Sequence, residues 1–432
     1  MTIKELETMG YYEPGFLHLR INTNHEILDL NKFAADPLTA PYFSTFFHEY
    51  IHFLQNVTTV SGLMTSVFFI DLIKDMNWEV RNDGKPEFHV PFQITNKNNI
   101  EANIKLRGIY TGSRSNIDTI LYDGYIAETE AVTDKDGRVV NPEQYKAFYY
   151  DPSRATNSFY FGSVCLTEYV AHANQNYFSI RPHPDVPYLA PELIISKEYP
   201  EFGNDPMLIT ALCDATMMTF HPAQTFFNTI KRMKLEKFIP KSAIEVYDFA
   251  LDKIIFRNKD GEFTPMSLYD YMLDLAVKQY GDALKADIFH PNNAWIKHIF
   301  SEAQTLRHNI PDFMTKLVKA PGQLSDLYYT IFRTLGTPFF TNNNMIGGFV
   351  PPAGINPAGI QPYQLLVFKE IINIYMGETK CDMYKFCKSR PDKDITNADC
   401  LSAPWKRGVE DQLCPFGQFW KTWGLNGEVP VK

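Results

Sequence analysis

Histidine, glutamate and histidine at the spacing of one helical turn are the residues in this chain whose types could do chemistry together. They lie in His48-Glu49-Tyr50-Ile51-His52. On a helix, residues four apart share a face, about 5.4 Å apart along the axis. His48 and His52 then present two imidazoles to one point, as two ligands of a Zn²⁺ ion must be presented. Glu49, beside the first ligand, reaches a metal-bound water and can take its proton as the water attacks a carbonyl. The motif is short, and with 11 His in 432 residues chance supplies it in roughly two of a hundred such chains. Its flanks give it more weight. Phe43, Phe46, Phe47, Tyr50, Ile51, Phe53, Leu54 and Val57 leave the segment almost no polar face. Burying unpaired polar groups costs several kcal/mol, so two histidines and a glutamate need partners there. A metal is one such partner; hydrogen-bonded core neighbours are the other.

This stretch resembles the HExxH zinc metallopeptidases, the zincins. One branch extends the motif to HExxHxxGxxH; Gln55 and Thr58 stand in its last two fixed places, so that branch is not matched. The gluzincin branch takes its third ligand from a glutamate on a later helix. Here the Ser158 to Phe178 stretch turns helical after Gly162 and carries Glu168-Tyr169-Val170-Ala171, an ExxA. The resemblance implies that Glu168 is the third ligand. A small residue one turn on lets two helices approach until the carboxylate lies within about 2.0–2.2 Å of zinc. His172, four residues later on the same face, is the alternative ligand, or a group that orients Glu168 or donates to an oxyanion. Tyr169 and Tyr177 are phenols that could stabilise the same charge, or packing residues. Asp214, set among Leu208, Leu212, Cys213 and Met217, needs a partner: the second ring nitrogen of a zinc-bound histidine, or a buried cation elsewhere.

The elements that must position these groups follow from punctuation and period. Residues 16–30 read as strand, turn at Thr23-Asn24, strand, with His25-Glu26 as a surface pair. The resemblance implies a small sheet whose edge strand lines the substrate cleft. Pro37 and Pro41 precede a helix over about 41–56. Thr58 to Gly62 break it, and a second apolar helix follows over about 62–75. Residues 80–150 are more polar, with turns at Asn82-Asp83-Gly84, Asp123-Gly124 and Asp134-Lys135-Asp136-Gly137 and short strands at Gly108 to Thr111 and Tyr125 to Val132. They read as an insertion between the two halves of the metal site. Pro191, Asn204-Asp205-Pro206 and His221-Pro222 open three helices. Further helices are expected over 243–257, 266–280 and 323–334, then a Gly/Pro/Asn-rich loop over 336–362.

The tail holds a second group. Cys381, Cys387, Cys400 and Cys414 follow 380 residues that contain only Cys165 and Cys213. The spacing C-x5-C-x12-C-x13-C-P suits a structural zinc ion or an iron–sulfur cluster, with disulfides or unconnected thiols as alternatives. The aromatic run after Cys414 is expected to dock on the body, and Cys165 and Cys213 to sit in the core.

Together these features imply an α+β, predominantly helical protein. Its zincin-like core would span 1–235, a helical region 236–335, and a loop, helix and cysteine tail 336–432. A hydrophobic share of 45% against 21% charged is that of a folded globular chain. The net charge of −9 argues against a general nucleic-acid binder. The first residues lack a signal-peptide apolar core and no run of about 20 apolar residues exists, so a cytoplasmic location without a membrane span is expected. The expected activity is zinc-dependent hydrolysis of a protein or peptide substrate. One alternative is a binding or regulatory protein with a structural or vestigial metal site, which a fourth protein ligand such as His172 would favour; another is a metal-dependent hydrolase of non-peptide amides, which would use the same three ligands and base.

Overall fold

The computed structural model describes residues 9–23, 33, 38, 40, 42–82, 86–92, 97–133, 137–258, 261–389, 394–411 and 413–431. The expected turn residue Asn24, the His25-Glu26 pair, Pro37, Pro41 and the turn residues Asp83, Gly84 and 134–136 lie outside them. The chain is α+β and mostly helical, 56% helix and 15% strand, as its long 3.6-residue periods imply.

Everything is built around α1 (Phe43–Thr58). All its residues except His52 are buried. It contains no Gly or Pro, and its aromatic and aliphatic residues cover its whole circumference, so neighbours must enclose it. It ends where Thr59 turns extended, and α2 (Val60–Asn82) leaves at 84°. Gly62 permits that turn, because a Cβ there would lie 2.5 Å from the backbone of Gln55 and Asn56. Taken singly, no helix among the described residues is long and apolar enough to cross a membrane.

Of the strand, turn and strand expected over 16–30, the first strand forms but begins at His18, and the second lies outside the described residues. β1 (Gly10–Glu13) and β2 (His18–Ile21) are antiparallel, and Phe16 sits in the tight Pro14–Phe16 turn between them rather than in a strand. The alternation from Phe16 onward continues through a turn that Pro14-Gly15 dictates.

After α2, helix α3 (Lys97–Thr111) occupies the place of the strand expected at Gly108 to Thr111. Four residues were too few to separate the two periods. An antiparallel sheet follows, β3 (Leu121–Thr129), β4 (Glu143–Tyr150) and β5 (Thr156–Phe161). The inserted region thus runs to Phe161 and leads straight into α4 (Ser163–Phe178), which packs on α1.

The three helices opened by Pro191, Pro206 and Pro222 form as expected; the second is α5 (Pro206–Thr216), capped by the Asp205 carboxylate. Helices α6 (Pro265–Ala283) and α7 (His290–Asn309) pack on α2 and α1 respectively. The expected 243–257 helix stops at Leu251, and that at 323–334 begins at Asp326.

The Gly/Pro-rich stretch is not all loop. Within it, β6 (Phe339–Thr341) lies parallel to β2 and β7 (Gly347–Gly348) pairs with β6, so the sheet order is β1-β2-β6-β7. A three-residue strand is below the length at which alternation can be read. Finally α8 (Pro415–Thr422) docks through Phe416, Phe419 and Trp420, as its aromatic content implied. One continuous apolar core joins Phe16 to Leu425.

The C-terminus of α1 is fixed by a buried cation. Arg307 on α7 donates from Nε to the Thr58 carbonyl (2.9 Å), from Nη2 to Thr58 Oγ1 (3.0 Å) and from both Nη atoms to the Asp214 carboxylate (2.8 and 3.2 Å). Both side chains of the ion pair are fully buried. Tyr269 Oη donates to the neighbouring Val57 carbonyl (3.0 Å). A positive charge at a helix C-terminus faces the negative end of its dipole. Asp214 therefore serves this clamp, not a ring nitrogen of His48 or His52. Removing only the cation leaves a buried carboxylate uncompensated, so Arg307→Met should cost about 3–5 kcal/mol in urea unfolding. Arg307→Met with Asp214→Leu should cost less than Arg307→Met alone; a cost equal to the sum of the two single variants would mean the pair is not coupled.

Candidate metal centre

Helices α1 and α4 bring three ligand atoms together. His48 Nε2 lies 3.2 Å from His52 Nε2 and 3.2 Å from Glu168 Oε2, and His52 Nε2 lies 3.4 Å from the same oxygen. Among the described residues this is the group of metal-ligating types whose ligand atoms all fall within 4.8 Å of one another. The near-equilateral triangle can be tested against a metal. For sides of 3.2–3.4 Å, a cation about 2.05 Å from each atom subtends ligand angles of roughly 103–112°. That is close to tetrahedral, with a fourth direction facing away from the three. Two nitrogens and a carboxylate oxygen also suit Zn²⁺ chemically.

Two glutamines aim the imidazoles. Gln55 Nε2 on α1 donates to the Thr167 carbonyl on α4 (3.0 Å), leaving its Oε1 to accept from His52 Nδ1 (2.8 Å). Gln175 Nε2 on α4 donates to the Ser44 carbonyl on α1 (3.0 Å), leaving its Oε1 to accept from His48 Nδ1 (3.1 Å). Each glutamine thus ties its own helix to the other while holding one histidine. With the Nδ1 positions acting as donors, both Nε2 atoms turn inward as acceptors for a cation. Ala171, buried one turn after Glu168, is the small residue that close helix packing asks for.

The charges of the site are unequal. Burial pushes His52 down, but the Glu168 carboxylate beside it more than reverses this and raises it to about 9. Burial also pushes Glu168 up, yet the two histidines hold it far below the usual carboxylate range. Glu168 therefore draws positive charge to the triangle, as a proton on His52 or as a cation among the three. Glu49 behaves differently. It is 6% exposed, and burial raises it above its ordinary value against the pull of His48 and His52. Its stem packs against β1: a Cβ on Gly10 would lie 3.1 Å from Glu49 Cγ and 2.8 Å from the Arg20 carbonyl. Only glycine lets the sheet edge approach the glutamate this closely.

Of the other candidate residues, His172 sits in the wall, not the triangle. Its Nε2 accepts from Asn176 Nδ2 (2.9 Å), and burial together with His183 and His48 lowers it to about 3. Tyr169 is buried and its hydroxyl points to Glu192 (3.4 Å), so it is a packing residue. Tyr177 is exposed. Two groups absent from the sequence reading line the site instead. His183 stacks on His48 at 5.9 Å between ring centroids and donates to Gln175 Oε1 (3.1 Å). The Tyr188 ring lies 6.1 Å from that of His48, and burial with Glu168 and Glu49 nearby keeps its phenol protonated. His183 lies in irregular backbone after α4 and Tyr188 ends the short helix Asp185–Tyr188, broken at Val186, so no period links either to the motif; Gln175, seven residues after Glu168 on the same helical face, was within reach of a spacing argument.

No family model, curated protein or solved structure matches this chain, so the site must be read from its own geometry.

If Gln175 aims His48, Gln175→Leu should weaken zinc binding about 10–100-fold in competition with a chromogenic chelator, with the far-UV circular dichroism unchanged. Unchanged affinity would show that the amide does not orient the ligand.

Proposed function

We propose that this protein is a zinc-dependent metallopeptidase of gluzincin-like design, with His48, His52 and Glu168 as ligands and Glu49 as general base. The observation that carries the reading is the ligand triangle with a second, separately tuned carboxylate beside it. When bound there, zinc supplies a Lewis acid that brings the pKa of water toward about 7 and polarises a carbonyl.

The chain's own residues then divide the work. Glu49, poorly solvated, takes the proton of the attacking water. The raised affinity for a proton that burial gives it favours that transfer, and the same carboxyl returns the proton to the leaving amine. Tyr188 keeps its proton and donates a hydrogen bond to the oxyanion that develops on the carbonyl. The sheet supports a peptide as substrate. β1 is an edge strand, and Gly10 sets that edge against Glu49. An extended peptide can pair with a strand edge through its backbone and so bring a peptide bond beside the base.

Glu49→Gln should keep the zinc content of the wild type and lose at least roughly 10²-fold in hydrolysis of a quenched-fluorescent peptide library. Hydrolysis at the wild-type rate would refute the role of Glu49. Tyr188→Phe should lower kcat about 10²-fold while KM stays within a few-fold, since the phenol acts on charge present only in the transition state. A change confined to KM would make it a binding residue instead.

A further inference from the structure

The four C-terminal cysteines play no part in the triangle. Between the helix Leu366–Tyr375 and α8, the described residues form one short helix, Tyr384–Lys388, and two 3-10 turns, Ala398–Leu401 and Pro404–Val409. A segment with so little regular structure depends on what its side chains hold. Cys381, Cys387, Cys400 and Cys414 are all buried, and none is in a disulfide. All four line one small cavity, which Met383, Ile395 and Phe416 close on its apolar side. The cavity measures about 10 Å³, enough for one water-sized sphere. A water there would want two to four polar partners, and the walls offer chiefly sulfur and carbon.

Donors also face two of the sulfurs. Arg407 Nη1 lies 3.8 Å from Cys400 Sγ, and the Gly417 N–H at the start of α8 donates to Cys414 Sγ (3.4 Å). Arg407 is itself buried. The Cys381 N–H donates to the Cys400 carbonyl (2.8 Å), which ties two of the ligand loops together.

We propose that these four cysteines form a second, structural metal centre that holds a thiophilic metal as four thiolates. Binding releases four thiol protons and forms four metal–sulfur bonds, with no change of oxidation state. The thiols are more open than the histidine triangle, whose ligand atoms alone among the described residues close within 4.8 Å. They either draw in around one zinc ion at about 2.3 Å, or accept an iron–sulfur cluster of greater width. The centre would fasten this segment behind the sheet: Phe386, next to Cys387, packs on Phe339 of β6 at 5.7 Å and on Tyr363 at 4.9 Å.

The test is elemental analysis of untagged full-length protein purified anaerobically without chelator. Wild type, His48→Ala, Cys387→Ser, Cys414→Ser and the core control Cys213→Ser are compared. The expected result is a metal retained in His48→Ala and Cys213→Ser and lost in both tail variants. Colourless protein with zinc identifies a single ion; visible absorption with iron and acid-labile sulfide identifies a cluster. Should the tail variants fail to fold, a thiol reagent on wild type decides: chelation should expose four further thiols beyond those reactive before it. Wild type whose entire metal content disappears with His48→Ala, or whose thiol count is unmoved by chelation, overturns the proposal.

Discussion

Two amides decide what this structure can do. α1 is enclosed on nearly every side, yet it carries two histidines and a glutamate into the interior. Gln55 and Gln175 make that tolerable, each spanning from one helix to the other's backbone and turning its remaining oxygen to one imidazole. The exchange is reciprocal, so neither helix can slide along the other without breaking a bond to a carbonyl and releasing a histidine. The depth at which α4 crosses α1 is thereby fixed, and with it the position of Glu168. A long insertion between the helices is then harmless. The separation of 120 residues between His48 and Glu168 costs little beyond that of a shorter loop, because closure entropy grows only logarithmically with length.

The far end of α1 is held by different means. Arg307 and Tyr269 donate to the last carbonyls, Asp214 holds the guanidinium in place, and Gly62 lets the next helix leave sharply. The helix that carries the candidate ligands is thus anchored by amides in its middle and by a buried guanidinium at its end. Buried ion pairs seldom add much net stability over apolar packing, but this one fixes an orientation that apolar contacts would leave adjustable. In that sense Asp214 does bear on the site, through the backbone of α1 and without touching a ligand.

What could be read from the sequence follows from which contacts are local. His48, His52 and Glu168 were legible because helical period puts them on defined faces, and Ala171 because close packing asks for a small neighbour. The helix starts at Pro191, Pro206 and Pro222 were legible for the same local reason. In the sequence Gln55 only stands where another branch has glycine; its role appears when Thr167 is brought beside it. Asp214 announced that it needed a partner but not which one, since Arg307 is 93 residues away. β6 was hidden because three residues in a Gly- and Pro-rich stretch carry no period, and its pairing with β2 spans most of the chain. His183 follows a helix in irregular backbone and Tyr188 ends a four-residue helix broken at Val186, so spacing says nothing about their direction.

The contrast between the two carboxylates gives the strongest physical reason to separate their roles. Glu168 and Glu49 lie around the same pair of imidazoles, Glu49 buried and Glu168 partly exposed. Glu168 has its oxygen within 3.4 Å of both Nε2 atoms, and that proximity outweighs burial and holds it anionic. Glu49 has no hydrogen bond of that kind to either ring, and its stem is pressed against Gly10, so burial wins and its affinity for a proton rises. A carboxylate that stays charged is suited to bind a cation; one that will accept a proton is suited to move it. Exchanging the two functions would demand that the better-solvated, ion-paired group take up the proton and the poorly solvated one hold the metal, against both environments. The assignment of ligand and base therefore rests on where the fold places each side chain, and the pattern His-Glu-x-x-His supplies only the order in which they occur.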